Sequence, residues 1–203
     1  PGNWAQPRRW NAMPFAQCAD CGWRGEWPSS DAGMRGACPA CDCGALVSAR
    51  RRVFCASLAD VFDNEVPASW RTDLFSLIRT TPNLDWLLLT KRIGNVVDML
   101  DEAGGWSGAT VDSVRNPLPN VWVGATICNQ AEADRDIPKL LRVRAAVRFL
   151  SVEPMLGRVD LCEQMGMWWN QTMGCWEGTG QQINVASDGR PRIGWVIAGG
   201  ESG

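Results

Sequence analysis

The 203-residue chain contains no histidine. Without imidazole there is no Ser-His-Asp or Cys-His nucleophile, no histidine general base and no histidine metal ligand, so proton or metal chemistry must draw on Cys, Asp, Glu, Lys or Arg. An apolar run of about 18 residues is missing, which argues against a membrane span. So is a charged-then-apolar leader, which leaves nothing to mark secretion and points to the cytoplasm. Twenty basic residues against 22 acidic ones give a net charge of −2 and a pI near 5.2, so the chain also lacks the global basic field of a duplex-DNA binder. The first residue is Pro1 rather than methionine, and the chain stops at Glu201-Ser202-Gly203, straight after a strand-like apolar run. Both ends read as those of a fragment.

What the chain does have is nine cysteines and 12 tryptophans. Residues 1–48 are rich in Gly, Pro, Cys and Trp with little apolar periodicity, a loop-like composition that needs something other than a large core to hold it. Within it, Cys18-Ala19-Asp20-Cys21-Gly22 and Cys38-Pro39-Ala40-Cys41 form two C-x2-C pairs separated by 16 residues. Four thiolates on two tight turns can meet around one tetrahedral zinc, and this spacing is that of a zinc ribbon spanning about residues 16–48. Two disulfides, disfavoured without secretion signals, and an iron-sulfur cluster are the alternatives. Cys43 offers a fifth thiol and is left outside the ligand set of Cys18, Cys21, Cys38 and Cys41. A closed four-thiolate site has no position for water, so its expected role is structural. Arg8, Arg9, Trp10, Trp23, Arg24, Trp27, Arg35 and Arg50-Arg51-Arg52 surround it. Cations interleaved with aromatic faces can contact nucleic-acid phosphates and stack bases. The plainer and favoured reading is that the tryptophans pack on the ribbon while the arginines keep it soluble.

From Arg52 onward, short apolar runs alternate with helical spacing. The runs are 53–57, 84–89, 121–125, 147–152 and 195–198, with the length and β-branched content of buried parallel strands. Trp70, Leu74, Leu77 and Ile78, and then Ile93, Val96, Val97 and Leu100, fall on single helical faces. Asn129 with Glu132 marks a helix start, and Pro138 is expected to kink that helix or begin a second one. Strand ends at Ser57, Thr90, Thr126, Glu153 and Glu201 give steps of 33, 36, 27 and 48 residues. The first three suit single βα units, and the last contains an irregular insertion at about 162–193, expected to be a lid or hairpin. Five such units predict an α/β fold in 53–203, behind an N-terminal segment of residues 1–52. Pattern alone leaves an open doubly wound sheet and an arc of a (β/α) barrel both standing.

In parallel α/β folds, binding groups collect where strands end. Here those positions carry Ser57 and Asp60, Thr90-Lys91-Arg92, Thr126 and Asn129, Ser151 and Glu153, and Glu201-Ser202. Taken singly, each reads at least as well as a solvated loop residue or a helix cap. As a set they place carboxylates and cations on one face. Gly199-Gly200 could let backbone amides approach an anion or a cofactor, or could simply form a tight turn.

Several strings occur together and in order: Arg51-Arg52-Val53-Phe54, Ser57-Leu58-Ala59-Asp60-Val61-Phe62, Leu89-Thr90-Lys91-Arg92, Asn120-Val121-Trp122-Val123-Gly124, Ser151-Val152-Glu153-Pro154-Met155-Leu156-Gly157 and Gly199-Gly200-Glu201-Ser202-Gly203. In these the chain resembles an uncharacterised phage and prophage protein family, similar in pattern to radical S-adenosylmethionine partial barrels. The resemblance covers roughly residues 51–161 and the last ten. It implies a partial (β/α) barrel of about five units with the zinc ribbon inserted N-terminally, and an enzyme of unknown substrate. For the full-length protein only, it also implies a 4Fe-4S cluster and S-adenosylmethionine. Ser57, Asp60, Thr90, Lys91, Arg92, Asn129, Glu153 and Glu201 would then line the cofactor-binding mouth, carboxylates facing the cofactor's amino group and Lys91-Arg92 its carboxylate or a phosphate-bearing substrate. The C-x3-C-x2-C run of radical enzymes does not occur in the 203 residues, and the resemblance puts it before Pro1 and a final strand after Gly203. A non-catalytic scaffold carrying a zinc-ribbon module that binds nucleic acid or protein is the alternative. An ordinary nucleotide-binding domain ranks lower, because neither G-x-G-x-x-G nor a P-loop lysine motif follows any strand.

Overall fold

The computed structural model describes residues 4–28, 36–55, 59–103, 119–162 and 192–199, with the backbone alone for 168–170 and 175–177. The chain opens with helix α1 (Ala5–Ala12), where composition reads as loop. Pro7 is compatible with it because it lies in the first turn, whose N–H groups have no intrahelical acceptor. Trp4 and Trp10 lean on the main core. Next comes a three-stranded antiparallel ribbon of β1 (Phe15–Cys18), β2 (Arg24–Glu26) and β3 (Leu46–Ser48), in the order β2-β1-β3. Its core is small: Ala16, Cys18, Cys38 and Leu46, flanked by Trp23, Trp27 and Cys43.

The second unit alternates β4 (Arg51–Cys55), α2 (Ala68–Arg79), β5 (Leu84–Thr90), α3 (Val96–Glu102), β6 (Val121–Thr126), α4 (Gln130–Arg142) and β7 (Val147–Val152). The strands coincide with the apolar runs to within a residue, except that β4 already starts at Arg51; residues 56 and 57 of the first run lie outside the described residues. Asn129 caps α4, its Oδ1 accepting the Glu132 N–H at 2.9 Å, while Glu132 Oε2 accepts the Cys128 N–H at 2.8 Å. Pro138 lies inside α4 and does not begin a second helix. Ile137 and Leu140, buried on either side of it, hold the element against the sheet. In the 162–193 insertion a short antiparallel pair, β8 (Trp168–Asn170) and β9 (Cys175–Glu177), forms. The final strand is β10 (Trp195–Ala198).

The large sheet is parallel throughout, in the order β10-β7-β6-β5-β4. Each new strand is added on the same side of the last, so the order never reverses. A doubly wound sheet requires a reversal; unidirectional winding gives a curled half-barrel with its helices on one face. The contacts agree. Leu84, Trp86, Leu88, Val121, Val123, Leu150 and Val152 point outward into a common core with Phe75 and Ile78 of α2, Leu100 of α3 and Ile137 and Leu140 of α4. The alternate residues point inward: Leu87, Trp122 and Phe149 form a second cluster with Leu89, Val147, Trp195 and Ile197 beside it.

Gly124 shows why the inner layer closes up. A Cβ there would run into the Phe149 ring from the neighbouring strand, and Phe149 is fully buried. Below it, the Arg52 guanidinium lies 4.8 Å from the Trp122 ring centroid and 5.4 Å from that of Trp195, a cation held against two π faces. Gly124→Ala should therefore lower unfolding free energy by about 1–3 kcal/mol through overpacking. Denaturant titration measures it, and combining the change with Phe149→Leu should recover part of the loss.

Candidate metal centre and strand-end face

Two knuckles of matching geometry bring four thiols together. In the first, the Gly22 N–H donates to the Cys18 carbonyl at 3.1 Å and the Cys21 amide points at Cys18 Sγ, 3.5 Å away. In the second, the Asp42 N–H donates to the Cys38 carbonyl at 2.8 Å and the Ala40 amide points at Cys38 Sγ, 3.4 Å away. Gly22 and Asp42 occupy equivalent left-handed positions, with φ of 74° and 57°. Glycine is at ease there, and aspartate is among the few other residues that tolerate it.

The sulfurs of Cys18, Cys21, Cys38 and Cys41 all lie within 4.8 Å of one another, so the set could hold a metal ion. Cys18 and Cys41 are 3.7 Å apart, and Cys21 and Cys38 are 3.6 Å apart. Zinc–sulfur bonds of about 2.3 Å in a tetrahedron require sulfur–sulfur edges of about 3.8 Å, so the donor set fits zinc. The Cys21 amide holds the Cys18 thiol down to about 6, outweighing burial, which opposes it. Cys43, left out of the ligand set, lies beside it: its sulfur is 3.3 Å from Cys18 Sγ and 3.2 Å from Cys41 Sγ.

The ribbon docks where the barrel strands begin. β3 ends at Ser48 and β4 begins at Arg51. Arg51 pairs with Glu26 at 3.0 Å and stacks on Phe15 and Trp10 at 5.0 and 5.5 Å. Arg24 hydrogen-bonds Gln17 and the Arg50 carbonyl, and Arg50 reaches Asp85 and the Pro119 carbonyl. Of the arginines marked out for nucleic acid, Arg24, Arg50, Arg51 and Arg52 thus make contacts within the protein, whereas Arg8 and Arg9 on α1 are exposed; Arg35 lies outside the described residues.

At the opposite end of the strands the charged residues divide into two groups. Asp60 is saturated: it accepts from the Phe62 N–H (3.0 Å), Thr90 Oγ1 (2.9 Å), the Lys91 N–H (3.0 Å) and Arg92 (3.4 Å). Arg92 also pairs with Asp63 at 2.8 Å. These groups pin the loop after β4 to the end of β5, and Asn129 is engaged as the cap of α4. The side-chain charges of Lys91 and Glu153 have no ion pair or hydrogen bond among the described residues, and both residues are exposed. Glu153 leans over β10, where a Cβ on Gly199 would strike its Oε1. The loop carrying it crosses the rim, the Met155 N–H bonding the Gly199 carbonyl at 3.1 Å and the Leu156 N–H bonding the Cys128 carbonyl at 2.9 Å. Ser57, Gly200, Glu201 and Ser202 lie outside the described residues. Cys55 sits on the outer face beside a cavity of about 500 Å³ lined by Trp4, Pro7, Val53 and Trp70, and burial pushes its thiol up to about 11. That is the behaviour of a packed cysteine. No helix of the described residues is long and apolar enough to cross a membrane.

The family model described as "Protein of unknown function (DUF5131)" matches residues 1–203, a wider span than the ordered motifs cover. No curated protein and no solved structure matches the chain.

If the four thiolates hold one metal, purified protein should carry one zinc per chain by elemental analysis, and Cys21→Ser should abolish it. Protons compete with the metal for all four thiolates, so retention against a competing chelator should fall as the pH is lowered.

Proposed function

The chain belongs to the DUF5131 family, whose description assigns no function, and for it we propose a metal-stapled half-barrel of the radical S-adenosylmethionine-like type: a structural zinc ribbon at one end and a mouth for an amino-acid-bearing cofactor at the other. The observation that carries the reading is the pair of exposed, opposite charges on the strand-end rim, Lys91 after β5 and Glu153 after β7, that make no ion pair among the described residues. An α-amino acid presents a carboxylate and an ammonium a few ångströms apart, and a lysine and a carboxylate on one rim answer both. Gly199 leaves room for Glu153 to lie across the end of β10. Unidirectional strand order supports the same reading, because it brings the ends of β4 to β7 and β10 to one rim.

The zinc is expected to fold the ribbon. The ribbon that would hold it joins the half-barrel at the beginning of β4, the opposite end of the strands from the rim, and four ligands leave no open position. The iron-sulfur cluster does not fit the cysteines of this chain: the knuckles have ribbon spacing, and none of the remaining cysteines forms C-x3-C-x2-C. No reaction step is therefore drawn through it.

Titration calorimetry of S-adenosylmethionine into the zinc-loaded protein tests the mouth. Single-site binding is expected, weakened ten-fold or more by Lys91→Ala and by Glu153→Ala, since each removes a charge-assisted contact worth about 1.5–3 kcal/mol. Unchanged affinity in both variants, or no binding to the parent protein, contradicts the assignment. Salt-dependent retention on single-stranded DNA, lost on replacing Arg50, would favour the binding-module alternative instead.

A further inference from the structure

We propose that Cys43 is an oxidation site built into the metal centre, and that a hydroperoxide joins it to Cys18 through a disulfide. The proposal starts from a mismatch of number: five sulfurs crowd a site with four vertices. Cys43 Sγ stands 3.3 Å from Cys18 and 3.2 Å from Cys41, inside the sulfur–sulfur edge of about 3.8 Å that a zinc tetrathiolate requires. It therefore cannot add a vertex to the tetrahedron formed by the other four. Its place is set by the backbone. The Cys38 N–H donates to the Cys43 carbonyl at 2.8 Å, as the Cys18 N–H donates to the Trp23 carbonyl at 2.8 Å. Cys43 thus fills the position that the first knuckle gives to an inert tryptophan.

Access and partner follow from burial and connectivity. Cys18 is fully buried and Cys43 only partly so; Cys21 and Cys41 are more exposed but belong to the four-thiol ligand set, which leaves Cys43 as the reachable sulfur outside that set. Cys43 sulfur attacks the peroxide: an S–O bond forms as the O–O bond breaks, giving a sulfenic acid and an alcohol, or water from hydrogen peroxide. Cys18 sulfur then displaces the sulfenic oxygen, which leaves as water. Two thiols are oxidised by two electrons and one peroxide bond is reduced. Cys41 is as near, but it is tied to Cys43 through Asp42 alone, in a knuckle held by the bond from the Asp42 N–H to the Cys38 carbonyl. Cys18 approaches from a different strand and can bridge without breaking that turn. Losing Cys18 leaves three thiolates, and the metal departs.

The metal-release arm of the test rests on the zinc reading above; the cross-link arm does not. Zinc-loaded protein is treated with equimolar hydrogen peroxide, zinc release is followed with a chromogenic chelator, and peptides are mapped without reduction. A Cys18–Cys43 linked peptide is expected, with one zinc released per link and both reversed by a dithiol. Cys43→Ser and Cys43→Ala should load zinc normally, which reports a folded ribbon, and release it at least ten-fold more slowly. Equal release from parent and variants overturns the proposal. So does a cross-link that omits Cys43, one that joins it to Cys41, or none. Should the parent protein hold no zinc, the zinc reading fails by itself, and the peptide map still decides whether Cys43 pairs with Cys18.

Discussion

Five parallel strands paired in chain order are the constraint on which the rest of the molecule depends. Because every crossover proceeds the same way, the helices share one face, the strand beginnings share one rim and the strand ends share the other. Side-chain alternation then divides each strand between two cores. Outward residues such as Leu88, Val123 and Leu150 meet the helices, and inward ones such as Leu87, Trp122 and Phe149 meet each other. Gly124 yields its side-chain volume so that Phe149 can fill the space between strands.

This winding also separates two kinds of chemistry. The ribbon is attached through β3 to the beginning of β4 and is fastened there by Arg51 lying between Glu26, Phe15 and Trp10. Its own apolar core amounts to little more than Ala16 and Leu46 beside the buried cysteines, too little to fold alone. Metal binding is thus expected to be folding energy for this segment. The other rim carries the exposed charges of Lys91 and Glu153.

The strands were legible because their apolar runs are short and continuous, the central three, β5, β6 and β7, being buried on both faces, and α4 because Asn129 and Glu132 cap its start. The four-thiol set was legible from spacing alone. Helix α1 was hidden, since the two tryptophans that lean on the core, Trp4 and Trp10, lie too far apart to draw an apolar stripe and Pro7 reads as a breaker. The choice between a doubly wound sheet and a half-barrel depends on strand neighbours, which periodicity does not record. Asp60 and Lys91 looked equivalent in sequence; only long-range contacts show that Asp60 is saturated by Thr90, Lys91 and Arg92 while the Lys91 side chain is left over. The place of Cys43 was equally hidden, because its proximity to Cys18 arises from pairing across the ribbon.

The separation of ribbon and half-barrel is tested most directly by amide hydrogen exchange before and after the metal is stripped with a chelator. The account predicts that protection collapses in the strands Phe15–Cys18, Arg24–Glu26 and Leu46–Ser48 and stays unchanged in Leu84–Thr90, Val121–Thr126 and Val147–Val152. Protection lost across all six strands, or kept in the ribbon without metal, would contradict it.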